Sequence, residues 1–136
     1  MPPPKYHKYT CACVLRCGKK VWMSERLLTD CFAGYWQFAG GKCEDKENPI
    51  DAAVREVKEE TNLDINVNRM RYLDQITGDP STYVCFVYYV DLNDVEIPMR
   101  IENLNSDWVL LSYDEVLKKH LMPGIPQCIA KLRKEK

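Results

Sequence analysis

The 136-residue sequence predicts an α/β domain in which a mixed β-sheet is sandwiched between helices (α/β/α). Three observations carry that expectation. Short apolar or alternating runs bounded by Gly, Pro, Asn and Asp recur along the chain, as strands do. One of them, Thr82 to Val90, is apolar on both faces, as befits a central strand covered on both sides. Two further stretches, 49–61 and 124–133, carry apolar residues at 3- and 4-residue spacing and read as amphipathic helices.

In chain order, residues 1–8 read as a flexible leader. Met1 to Lys5 lacks the hydrophobic centre of a signal peptide, and its three prolines make only a very small polyproline motif. Residues 9–136 read as a single domain. Tyr9 to Arg16 and Val21 to Glu25 predict strands joined by a turn at Cys17-Gly18-Lys19-Lys20. Leu27 to Gly34 is a loop leading into a short strand, Tyr35 to Phe38. The helix over Pro49 to Thr61 has Asn48 to cap it, Pro49 at its first position and Asp51 in its first turn. Ile50, Ala53, Val54 and Val57 form its inward face, and Asn62, which tolerates the left-handed conformation, ends it. Ile65 to Thr77 contains one or more strands, interrupted at Gly78-Asp79-Pro80 before the central strand. Asp91 to Asn105 is a polar loop region with short extended pieces. Trp108 to Leu111 is a strand, Ser112 or Tyr113 begins a short helix to about His120, and Gly124 to Arg133 is a final helix with Ile125, Ile129 and Leu132 inside.

Composition narrows the function. Apolar residues make up 46% and the formal charge is −1, which describes a soluble globular chain without the basic excess of a dedicated nucleic-acid binder. No apolar run approaches membrane-spanning length, and a cytoplasmic location is expected. Seven cysteines, an odd number, fit reduced thiols. Cys11, Cys13 and Cys17 invite a zinc reading, but a strand there points them to one face together with Leu15, and no Cys-x-x-Cys pair exists. Small buried side chains explain them better.

The chemistry concentrates in residues 41–63. Gly41 is followed by Glu47 and then by Arg55, Glu56, Val57, Glu59, Glu60, Asn62 and Leu63. At roughly 100° per residue, Glu56, Glu59 and Glu60 fall on one flank of the apolar stripe. Carboxylates that close repel one another, and a bound divalent cation relieves the repulsion. The Gly40-Gly41 pair allows a tight backbone approach between the preceding strand and the helix.

These residues resemble the signature of the Nudix hydrolases, with Asn62 where the family usually carries Gly. The resemblance is to small, single-domain, MutT-like members, and it implies the Nudix fold and cleavage of a pyrophosphate bond in a nucleoside diphosphate linked to a further group. It implies Mg²⁺, for which Mn²⁺ substitutes, held by Glu56, Glu59, Glu60 and the Gly40 carbonyl. Glu47 and Arg55 are then a pair that holds the loop against the helix. The general base is Glu59, Glu60 or Glu102, the last lying six residues before Trp108 as in MutT-like members. Arg26, fourteen residues before Gly40, stands where those enzymes place a substrate-contacting arginine, and Lys42 beside the glycine pair is a second candidate contact.

Tyr83, Phe86, Tyr88 and Trp36 are available for base stacking. Ile125 stands where MutT-like enzymes read a purine with Asn, leaving nearby Gln127 to offer an amide. The implied substrate is a (d)NTP cleaved to (d)NMP plus pyrophosphate, in keeping with nucleotide-pool sanitation. ADP-ribose or a nucleotide sugar, capped RNA, and a non-catalytic nucleotide-sensing module are the alternatives. Retention of all three glutamates favours an enzyme. The expected partner is a small-molecule nucleotide, with no membrane and no dedicated nucleic-acid binding, in a monomer or homodimer.

Overall fold

The computed structural model describes residues 8–27, 32–77, 83–101 and 103–135. Strands β1 (Lys8–Cys17) and β2 (Lys20–Glu25) are joined at Gly18, whose φ of +63° suits a residue without a side chain. Then come β3 (Trp36–Gln37), β4 (Ala39–Lys42), α1 (Pro49–Thr61), a 3₁₀ turn (Val67–Arg69), β5 (Arg71–Thr77) and β6 (Tyr83–Asp91). Strand β7 (Val109–Ser112) and helices α2 (Tyr113–Leu117) and α3 (Ile125–Lys134) complete the described elements.

Strand β1 organises the sheet. One edge runs parallel to β6 from Lys8↔Tyr83 to Arg16↔Asp91, and β6 in turn pairs antiparallel with β5. The other edge is shared. Cys17 and Arg16 pair with β2, while Thr10 to Cys13 pair antiparallel with β4. Strand β2 diverges where β4 takes its place, and pairs instead with β7 and β3.

The period-two alternation of β1 and β6 separates two cores. Cys11, Cys13, Leu15, Tyr88 and Val90 pack with Ala52, Ala53 and Val57 of α1. Val14, Val87 and Tyr89 face the opposite way, against Val116 of α2 and Ile125, Cys128, Ile129 and Leu132 of α3. Burial of Ile129 and Leu132, each about 1% exposed, contributes roughly 3–6 kcal/mol and secures α3. The expected α/β/α arrangement is therefore present, and Cys11 and Cys13 of β1 are core residues. Cys17 alone of that row is partly exposed, outside the α1 core.

Helix α1 has the expected bounds. Asn48 occupies the N-cap position with extended backbone but makes no side-chain cap bond, and Asn62 ends the helix at φ +66° with its N–H donating to the Lys58 carbonyl at 3.0 Å. Its buried residues are Ala52, Ala53, Val57 and Thr61, with Ile50 and Val54 only partly covered.

Two boundaries differ from expectation. The strand Tyr35–Phe38 is instead β3 and β4, and the Gly40-Gly41 pair lies inside β4 rather than after it. Gly40 packs so closely on β1 that a Cβ there would sit 2.2 Å from the Cys11 carbonyl oxygen, which makes this stretch pairable only with glycine. Helix α2 stops at Leu117 rather than near His120, although its start carries a full Ser112–Glu115 capping box. The Gly78-Asp79-Pro80 interruption lies outside the described residues, as does the leader except Lys8, which opens β1. Among the described residues no helix is long and apolar enough to cross a membrane.

Candidate active site

Strand β4 and helix α1 meet at the glycine pair, and α1 directs its carboxylates there. The Glu60 side chain accepts a hydrogen bond from the Gly40 N–H at 2.8 Å, pinning the last helical turn to the strand. The Glu56 carboxylate lies over Gly41, where a Cβ would fall 2.6 Å from its carbon and 2.7 Å from both oxygens. Any larger residue would displace it.

Arg55 knits the rest. Its Nε and Nη2 donate to the two oxygens of Glu47, both at 2.9 Å, a bidentate pair. Nη1 donates to Glu56 at 2.9 Å and reaches Glu59 at 3.3 Å, while Nη2 also donates to the Lys42 carbonyl at 3.0 Å. Glu44 approaches Nε at 3.2 Å. A single guanidinium thus ties the 44–47 loop, the end of β4 and two glutamates of α1 together. The Arg55 bond, reinforced by the Glu44 N–H, holds the Glu47 carboxyl down to about 2. In return, Glu47 and then Glu56 push the Arg55 guanidinium further up.

The donor set suits a hard divalent cation. Carboxylates and a backbone carbonyl are oxygen ligands, and Mg²⁺ is held through one or two carboxylates plus water rather than an all-protein cage. Among the described residues no three His, Cys, Asp or Glu side chains close into such a cage. Glu56 and Glu59 flank Arg55 while Glu60 turns to Gly40. The thiols of Cys11 and Cys43 nearby are pushed up by burial.

A cavity of about 440 Å³ opens on the other face of β1, bounded by Gly40, Gly41 and Lys42 at one side. Thr10, Tyr83, Cys85 and Val87 line it from the sheet and Met122, Ile125 and Cys128 from the α3 side, with Arg26, Phe32, Gln37 and Phe38 also among its lining. A mostly apolar, concave site of this size beside a carboxylate cluster is suited to a small organic ligand carrying phosphates.

The sequence candidates divide cleanly. Glu47, Arg55, Glu56, Glu59, Glu60 and Gly40 come together at the β4–α1 junction, and Arg26 and Lys42 line the cavity. Glu102 lies outside the described residues. Gln127 does not reach the cavity: its amide donates to Asp74 on the exposed side of α3. The reason is helical periodicity, since Ile125 and Cys128 point inward and Gln127 is turned about 200° from Ile125. Of the four candidate stacking aromatics only Tyr83 is part of the lining. Phe86 and Tyr88 alternate to the α1 side, and Trp36 lies under the Lys119 ammonium at 4.8 Å. Gln37 escaped the sequence reading, although a lone polar residue within the apolar run Tyr35 to Ala39 was a legible signal.

Known proteins share this fold and parts of this sequence. The family model described as NUDIX domain matches residues 5–132. An 8-oxo-dGTP diphosphatase of Proteus vulgaris is 34% identical over 71 residues, 52% of this chain, and the chain spans 62% of that protein's length. The CTP pyrophosphohydrolase of Escherichia coli (strain K12) is 36% identical over 117 residues, 86% of this chain and 72% of that protein. The fold is that of the MutT NUDIX hydrolase from Burkholderia pseudomallei, with a TM-score of 0.80 at 19% identity over 92% of this chain and 97% of that one.

Proposed function

The chain belongs to the NUDIX domain family, and from that premise we infer that it is a metal-dependent nucleotide pyrophosphohydrolase. The reaction is cleavage of a (d)NTP to (d)NMP and pyrophosphate by attack of water at phosphorus, a role suited to nucleotide-pool sanitation. One observation carries the reading: the Arg55-bound carboxylates of α1 and the 440 Å³ cavity share the wall formed by Gly40, Gly41 and Lys42. A base in the cavity therefore has its phosphates led past Lys42 toward Glu56, Glu59 and Glu60.

Mg²⁺, or Mn²⁺ in its place, would be held by Glu56, Glu59, Glu60 and the Gly40 carbonyl. The chemistry such an ion supplies when bound is neutralisation of phosphate charge and a more acidic water. The protein's own part is positioning. Arg55 and Glu47 fix the loop and hold Glu56 in place, the Gly40 N–H orients Glu60, and Arg26 and Lys42 carry positive charge at the cavity. The exposed Glu59 carboxylate, or Glu60 or Glu102, accepts the proton of the attacking water.

The test is turnover with Mg²⁺ against the standard NTPs and dNTPs, oxidised dGTP, ADP-ribose and nucleotide sugars, with products identified by mass. NMP and pyrophosphate from a triphosphate are expected. Cleavage confined to ADP-ribose or a nucleotide sugar would overturn the substrate, and binding without turnover of any compound would overturn the enzyme reading.

A further inference from the structure

We propose that Gln37, oriented by Arg26, selects nucleotides whose base carries a keto oxygen at purine position 6 or pyrimidine position 4 over their amino counterparts. This deepens the nucleotide reading above and rests on it. Gln37 lines the cavity from β3, and its Oε1 accepts a hydrogen bond from Arg26 Nη1 at 3.0 Å. A guanidinium has donors only, so the amide atom facing Arg26 is necessarily the oxygen. That leaves Nε2, two donors and no acceptor, for a ligand. Among the described residues Nε2 has no hydrogen-bond partner, and Gln37 is only partly buried.

Arg26 is itself held in place. Its N–H donates to the Tyr35 carbonyl at 2.8 Å, and it bridges to Asn105, so the guanidinium approaches Gln37 from a fixed strand end. Most of the remaining lining is apolar: Phe32, Phe38, Ile76, Val87, Met122, Pro123 and Ile125 offer contact area without hydrogen-bond direction. The Thr10 hydroxyl is directed to the Cys85 sulfur. In such surroundings one fixed donor discriminates strongly. A keto oxygen satisfies it, whereas an amino group at the same place sets donor against donor and leaves both unpaired in a poorly solvated site. Arg26 acts here as a positioning residue and Gln37 as the group that meets the base.

The experiment uses two matched pairs, ITP against ATP and UTP against CTP, which differ at the keto or amino position and its adjoining ring nitrogen. Affinities are measured by isothermal titration calorimetry in EDTA, and kcat/KM with Mg²⁺, for the wild type, Gln37→Glu and Arg26→Met. Thermal melts check that each variant folds. The wild type is expected to favour the keto member of each pair by about tenfold. Gln37→Glu, which presents an acceptor while keeping one oxygen on Arg26, should reverse the order. Arg26→Met, which frees the amide to turn, should bring the ratio close to one. A wild-type ratio within twofold, a preference for the amino member, or a ratio unmoved by Gln37→Glu overturns the proposal. A keto preference in binding without any turnover leaves the proposal standing and overturns the pyrophosphohydrolase reading instead.

Discussion

Adjacent glycines in β4 face different obstacles, and alanine at each should fail in a different way. At Gly40 the added Cβ would lie 2.2 Å from the Cys11 carbonyl oxygen and 2.8 Å from the Ala12 Cα, both backbone atoms of the paired strand. Ordinary contact is about 3.5–4.0 Å, so β1 and β4 must separate by roughly 1 Å or more. The register Thr10↔Lys42 to Cys13↔Ala39 lies between them, and opening two of its buried hydrogen bonds costs about 2–6 kcal/mol. For a chain of this length that corresponds to a melting temperature lower by roughly 7–20 °C. At Gly41 the atoms nearest the added Cβ are those of the Glu56 carboxylate, at 2.6–2.7 Å, and a side-chain tip can swing away. Gly41→Ala should therefore fold with a loss of about 1 kcal/mol. Its kcat should fall by about a hundredfold, because Glu56 leaves the place where Arg55 holds it at 2.9 Å. Thermal denaturation followed by circular dichroism, paired with steady-state kinetics, separates the two. Gly40→Ala melting within 2 °C of the wild type, or Gly41→Ala with undiminished kcat, would refute this account of the junction.

Three other expectations concern α1 and the residues that flank it. Glu59→Gln should lower kcat by about a hundredfold or more while leaving the melting temperature nearly unchanged, since the side chain is 55% exposed and among the described residues its polar contact is with Arg55; near-normal turnover would remove Glu59 from the site. Glu47 is held by Arg55 at about 2, below its ordinary 4.5. Between those values the unfolded chain binds the extra proton, so the Glu47 contribution is complete above about pH 4.5 and lost as pH falls toward 2. Urea unfolding should accordingly show the deficit of Glu47→Gln at pH 6 shrinking by pH 3, and a constant deficit would contradict the linkage. Asn62→Ala should cost about 1 kcal/mol because φ is +66° there, whereas Asn62→Gly should melt at or above the wild type; equal losses in both would place the cost in the Lys58 contact instead.

Local patterns in the sequence determined much of this protein. The bounds of α1 follow from an apolar stripe, a proline at its start and an asparagine at its end, all of which act within a few residues of themselves. The two-sided apolar run of β6 marked it as an interior strand, and the spacing of Glu56, Glu59 and Glu60 put them on one flank before any fold was known. The glycine pair and Arg55 were legible as well, and the resemblance implied Glu47 as the partner of Arg55, but neither the Glu56 contact nor the strand packed on Gly40 was. Long-range packing decided what those groups touch. Only the β1–β4 register explains why Gly40 must lack a side chain, and only the approach of the 44–47 loop lets Arg55 grip Glu47 and Glu56 together. The cavity is assembled from several separate stretches of chain, so only the packing shows that Gln37 enters it while the turn of α3 carries Gln127 to Asp74. Periodicity assigns a residue to a face of its own element. What that face looks onto is set by how the sheet and helices pack.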